Sequence, residues 1–115
     1  MEADLVKQLK IKAGAVKRIN REYHSYEEEL RTERDRLQKL TTSGASDHAV
    51  KKQQDVIQES ISMLPNTKKR LQDAVEDLQS FLQEQASNAS LTQSDEWTDA
   101  QTQMQTAVNG VLNLA

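Results

Sequence analysis

VKKQQDVIQESISMLPNTKKRLQDAVEDLQSFL, residues 50–82, decides the fold. Val50, Ile57, Leu64, Leu71 and Leu78 recur every seven residues, and Gln54, Ile61, Lys68, Val75 and Leu82 run beside them. Two rows at that spacing form one face of a helix. The only proline of the chain, Pro65, falls inside the stretch. A proline within a helix removes one amide donor and presses on the carbonyl four residues back, here that of Ile61, at a cost of about 3 kcal/mol. The phase of both rows nevertheless continues across it. A loop at Pro65 would release Leu71 and Leu78 from register with Ile57 and Leu64, so the pattern predicts one helix, kinked at Pro65.

Upstream, Leu9, Val16, Tyr23, Leu30 and Leu37 form a complete seven-residue row, flanked by Leu5, Lys12, Ile19, Tyr26, Glu33 and Leu40. They predict a first helix over about residues 3–40. Glu27 with Arg31 and Asp35 with Lys39 have the spacing of stabilising pairs on its solvent side. The run Ala13, Gly14, Ala15 weakens local helix propensity, which close approach of another helix would offset. Thr41 to Asp47 (TTSGASD) is the clearest break, with Gly44 suited to end one helix and Ser46 or Asp47 to cap the next. So short a connection makes the two helices antiparallel. The second helix then covers about residues 48–85. Ser87 to Ser94 (SNASLTQS) reads as a polar loop, with Thr92 or Ser94 as the next cap and Asp95 and Glu96 in a favourable first turn. A third, shorter helix follows over about 95–114. Its rows are Trp97, Met104 and Val111, and Ala100, Ala107 and Leu114. The expectation is an all-α protein: a single up-down-up antiparallel three-helix bundle over residues 1–115, coiled-coil-like, with no internal repeat.

Composition agrees with a thin aliphatic core. The 115 residues are 36% hydrophobic and 3% aromatic, and Leu, Ile, Val and Phe number 24. No apolar run approaches the ~20 residues of a membrane span, and no hydrophobic signal segment follows Met1, so a soluble intracellular protein is expected. Cysteine is absent, which excludes disulfides and thiolate chemistry. The net charge of −3 divides unevenly: residues 1–70 carry all 15 Lys and Arg and sum to +4, whereas residues 71–115 hold seven acids and no base. A basic end can mean nucleic acid or an acidic partner. Antiparallel packing gives an internal reason instead, because it sets Lys7, Lys10, Lys12, Lys17, Arg18 and Arg21 beside the acidic half of helix 2 and the start of helix 3. Helix 3 is too short to cover the whole helix pair. Residues 23–40 and 48–64 should therefore offer a partly covered flank, where a helical protein takes a partner.

Chemistry of the enzymatic kind has no candidate. With three glycines there is no phosphate loop, and no nucleophile elbow or paired-histidine metal motif is present. His24 and Glu28 stand one turn apart, half of a metal site and more simply solvent-facing neighbours; His48 reads as an exposed helix-start residue. Trp97 and the methionines read as packing, with an aromatic interaction site as the lesser alternative. No cofactor and no metal are implied.

The segment VKKQQDVIQESISMLPNTKKRL (50–71), with LKIKAGAVKRINRE (9–22) and YEEE from Tyr26, resembles the tubulin-specific chaperone A family, also called tubulin-binding cofactor A, over roughly residues 5–85. The matching positions are Lys10, Lys12, Lys17, Arg18 and Glu22, then Lys51, Lys52, Gln53, Glu59, Ser60, Pro65 and Leu71. Relatives often place a tyrosine before the Lys-Lys-Gln segment, where this chain has His48 and Ala49. They often have a basic residue before Met-Ile-Pro, where it has Ser62 before Met63, Leu64 and Pro65. The resemblance implies a monomeric, non-enzymatic three-helix bundle in the cytoplasm, associated with the cytoskeleton. Such a protein captures β-tubulin released from the cytosolic chaperonin on the way to heterodimer assembly. β-Tubulin is then the partner, with other tubulin-folding cofactors beside it and neither nucleic acid nor membrane. The implied contact residues are Lys51, Lys52, Gln53, Glu59 and Ser60, with Lys17 and Arg18 on the basic face of helix 1. Periodicity alone leaves a different class open, a self-associating coiled-coil scaffold without a client.

Overall fold

The computed structural model describes residues 2–113. Its elements are α1 (Glu2–Thr42), α2 (Asp47–Glu84), the single-turn α3 (Ala89–Thr92) and α4 (Asp95–Ala107), which continues into a π-helical segment, Val108–Leu112. Among the described residues there is no strand, and no helix is long and apolar enough to cross a membrane. Helix α2 runs unbroken through Pro65.

The helix ends follow local chemistry. Gly44 adopts φ +75°, which a residue without Cβ reaches at no steric cost. Its amide donates to the Thr41 carbonyl and that of Ala45 to the Leu40 carbonyl, so two carbonyls left over at the end of α1 find partners. Ser46 Oγ then accepts the Ala49 amide and starts α2. Ser94 does the same for the Trp97 amide at the start of α4, ahead of Asp95 and Glu96. Expected as a loop, residues 87–94 contain a turn of helix instead. Asn88 caps it through the Leu91 amide, and Leu91 is completely buried.

The chain packs as two compact units, one built from the described residues of Met1–Arg21 and Lys68–Ala115, the other from Glu22–Thr67. The first holds most of the apolar core: Leu9, Ala13, Val16 and Ile19 from α1, Leu71, Val75, Leu78, Phe81 and Leu82 from α2, and Trp97, Ala100, Ala107, Val111 and Leu112 from the C-terminal helix. Adjacent Val111 and Leu112 are both buried in the π-helical turn, whose wider winding changes the face that successive residues present. Leu114, expected in the same row as Ala107, lies outside the described residues.

The second unit is a helix hairpin. Residues later in α1 meet residues earlier in α2, as in an antiparallel pair: Tyr26 and Ser60 line one cavity, and Glu33 bonds Gln53. Here the expected second row of α2 needs correction. Gln54 and Lys68 are exposed, whereas Gln53 and Thr67 are buried, at 7% and 1% exposure. A helix facing one partner buries a narrow seam, here Ile57 with Gln53 and Thr67, which stand three residues after Val50 and Leu64. Between two partners the stripe widens, and Val75 and Leu82, four residues on, become buried as well.

Candidate functional site

The basic cluster of α1 is partly engaged within its own unit. Lys12 Nζ lies 2.8 Å from Asp77 Oδ2 and 5.8 Å from the centre of the Phe81 ring, while Lys10 and Lys17 share a groove with Asp95, Glu96 and Asp99. This is the internal charge matching that the sequence predicts, and each exposed pair of the kind contributes only about 0–1 kcal/mol. Close approach at the small-residue run occurs at Ala13, which is buried. Gly14 faces open space, with nothing within 4 Å of where a Cβ would stand. Lys17 and Arg18 are exposed and make no ion pair among the described residues.

The other predicted contact residues lie on the hairpin, and the structure separates them by face. At about 100° per residue, Lys52, Val56, Glu59 and Met63 share one flank of α2. Lys51 points about a quarter-turn away and pairs with Asp55 at 2.6 Å. Gln53 turns the opposite way, inward, which removes it from the contact surface. Its Nε2 donates to the Glu33 carbonyl oxygen (2.9 Å) and to Glu33 Oε2 (2.7 Å). Arg36 also donates to that carboxylate, at 3.2 and 3.3 Å. Gln53 is therefore an internal brace for the helix pair. Its position in the seam follows from the polar side chain opposite, which makes burial of its amide tolerable.

Glu59 and Ser60 come together with Tyr26, Glu29, Val56 and Met63 around an open cavity of about 310 Å³. Val56 and Met63 are 37% and 41% exposed, among the few large apolar side chains so open to solvent. The apolar centre thus carries a charged rim of Glu29 and Glu59. Sequence reading missed Val56 and Met63 because both stand off the main heptad row. Their signal was the 52, 56, 59, 63 spacing, a second helical stripe.

The opposite flank has a different character. Glu27, Leu30, Arg31, Arg34 and Leu64 line a cavity of about 220 Å³. The expected Glu27–Arg31 and Asp35–Lys39 pairs do not form. Glu27 Oε1 instead meets His24 Nδ1 at 2.8 Å, and that contact also takes His24 away from Glu28. No group of three or more metal-ligating side chains occurs among the described residues. Burial, and after it the Glu27 carboxylate, push the Tyr23 phenol up, so it keeps its proton well into alkaline solution.

The family profile described as Tubulin binding cofactor A matches residues 4–104. The tubulin-specific chaperone A of Oryctolagus cuniculus is 36% identical over 95 residues, 83% of this chain and 85% of that protein. The crystal structure of tubulin folding cofactor A from Arabidopsis thaliana is similar with a TM-score of 0.83 at 33% identity, covering 93% of this chain and 98% of that one. A structure of human tubulin chaperone cofactor A gives a TM-score of 0.73 at 30% identity, over 89% and 96% of the two chains.

Proposed function

Because the chain belongs to the tubulin binding cofactor A family, we propose that it is a tubulin-folding cofactor that captures β-tubulin after release from the cytosolic chaperonin and stabilises it until heterodimer assembly. The family is one of tubulin chaperone cofactors, not of enzymes. The single observation that carries the reading is the family match, which spans residues 4–104 and so takes in both halves of the helix pair. The chain works as a monomer in the cytoplasm, in association with the cytoskeleton and alongside other tubulin-folding cofactors.

The contact surface is the flank of the hairpin that carries Lys52, Val56, Glu59, Ser60 and Met63. A client cannot reach the buried seam without unfolding the pair, so recognition falls on exposed faces. This flank combines exposed apolar side chains with charge, the composition of a surface that must also stand in water when empty. Lys52 makes no ion pair among the described residues, whereas Lys51 is held by Asp55. Lysine here would speed encounter with an acidic client, and Val56 and Met63 would set the lifetime. Lys17 and Arg18, in the other unit, form the alternative surface.

The test is retention of separated α- and β-tubulin by the immobilised chain. β-Tubulin should be held and α-tubulin should not. Lys52→Glu, at unchanged helicity and melting, should weaken capture severalfold and more at low salt, with Lys51→Glu the milder variant. Equal retention of both tubulins, or of neither, refutes the reading. Capture untouched by Lys52→Glu moves the surface to Lys17 and Arg18.

A further inference from the structure

We propose that the Arg31 and Arg34 flank of the hairpin is a second binding site, for an acidic amphipathic segment of a protein: carboxylates flanking one bulky apolar side chain. Glu27 and Arg31 have the spacing of a stabilising helical pair, yet Glu27 is engaged by His24 at 2.8 Å. Arg31 and Arg34 make no ion pair or hydrogen bond with another described residue, whereas Arg36, two positions on, is bonded to Glu33. Two guanidinium groups three residues apart on one helix project from the same side. Each is a planar fork that matches a carboxylate through two parallel bonds.

What lies beneath them selects the rest of the ligand. Half-buried Leu64 and the edge of Leu30, which is otherwise buried in the seam, line the same cavity of about 220 Å³, room for one large apolar side chain. A bare anion would satisfy the arginines and leave this floor in water. A neutral apolar peptide would fill the floor and leave the arginines unmatched. An acidic segment with a central apolar anchor uses both. The cavity on the opposite flank is rimmed by Glu29 and Glu59, whereas this one sets two arginines against the single carboxylate of Glu27, which His24 engages, so the local charge favours this side for such a segment. This site does not depend on the tubulin reading, since it rests on the hairpin alone.

The experiment uses the full chain and three labelled peptides: four glutamates around a central Leu-Phe, lysines replacing the glutamates, and Ser-Gly replacing Leu-Phe. Fluorescence anisotropy at about 50 and about 300 mM salt reads binding, and amide chemical shifts locate it. The acidic Leu-Phe peptide should bind saturably and more weakly at high salt, shift Leu30 and Leu64, and lose about tenfold or more in affinity to Arg31→Glu with Arg34→Glu. Arg31→Lys with Arg34→Lys should fall between. No saturable binding, shifts elsewhere, or affinity unchanged in the Glu variant overturns the proposal. Equal affinity for the Ser-Gly peptide overturns it in favour of a simple anion site.

Discussion

Replacing Gln53 by Leu keeps the side chain's bulk and deletes one function, the amide that donates to Glu33. In the parent, that amide reaches the Glu33 carboxylate at 2.7 Å and its backbone carbonyl at 2.9 Å. A buried hydrogen bond to a charged acceptor is worth about 1.5–3 kcal/mol, and Arg36 recovers part of the loss because it also reaches the carboxylate. Gln53→Leu should therefore cost about 2 kcal/mol. Glu33→Leu strands the Gln53 amide instead and should cost about 1–2 kcal/mol. The double variant removes both polar partners from a seam that already holds Leu30 and Ile57, and should return to within about 1 kcal/mol of the parent. Urea unfolding of all four proteins, with the slopes compared first, gives the coupling; it should be about 2–4 kcal/mol. Additive losses, or a Gln53→Leu protein as stable as the parent, would show that the bond contributes nothing net. The double variant should also lose its preference for one alignment of the helices, visible as extra amide resonances or self-association, because an all-apolar seam no longer favours a single register.

Two other substitutions probe the helices. Gly14→Ala adds a Cβ that meets nothing within 4 Å, in a helical position, and should stabilise by about 0.8–1 kcal/mol, raising the melting temperature by about 4 °C in a calorimetric scan. No gain would mean that Gly14 is held for contact with a partner. Pro65→Ala restores an amide donor inside α2; thermal stability should change modestly while β-tubulin capture falls, and capture at the parent level would show that the proline is only tolerated.

The two long helices, the caps at Gly44, Ser46 and Ser94, and the matching of the basic start of α1 with the acidic half of α2 were legible in the sequence, because each depends on local chemistry or on one periodic face. What was not legible depended on who the neighbour is. Gln53 and Thr67 look like surface residues until a buried partner or a back-bonded carbonyl satisfies them, as Glu33 does for Gln53 and the Met63 carbonyl does for Thr67 at 2.9 Å. Leu91 was concealed by its polar surroundings, although Asn88 three residues earlier was a readable cap. Glu27 had two partners within one turn, and spacing rules cannot choose between Arg31 and His24. Of the contact residues expected from the sequence, Glu59 and Ser60 line the open cavity on the hairpin. The exposed apolar centre of that cavity, Val56 and Met63, was not legible, since exposure of an apolar residue is a property of the packed pair and not of the residue.

The turn at Gly44 also sets an order of events. Only four residues separate α1 from α2, and Glu33 and Gln53 are 20 apart in the chain, so the hairpin closes a short loop at small entropic cost. Lys12 and Asp77 are 65 apart, and the unit to which they belong also requires α4. As an unfolded chain folds, the hairpin can close before residues 68–113 have docked. The apolar stripe of Leu9, Val16 and Ile19 must wait for them, together with its lysines. A folding chain thus passes through a stage in which its basic amino-terminal segment is sticky and uncovered, and docking of the acidic carboxy-terminal third ends that exposure by supplying both the missing apolar surface and the opposite charge.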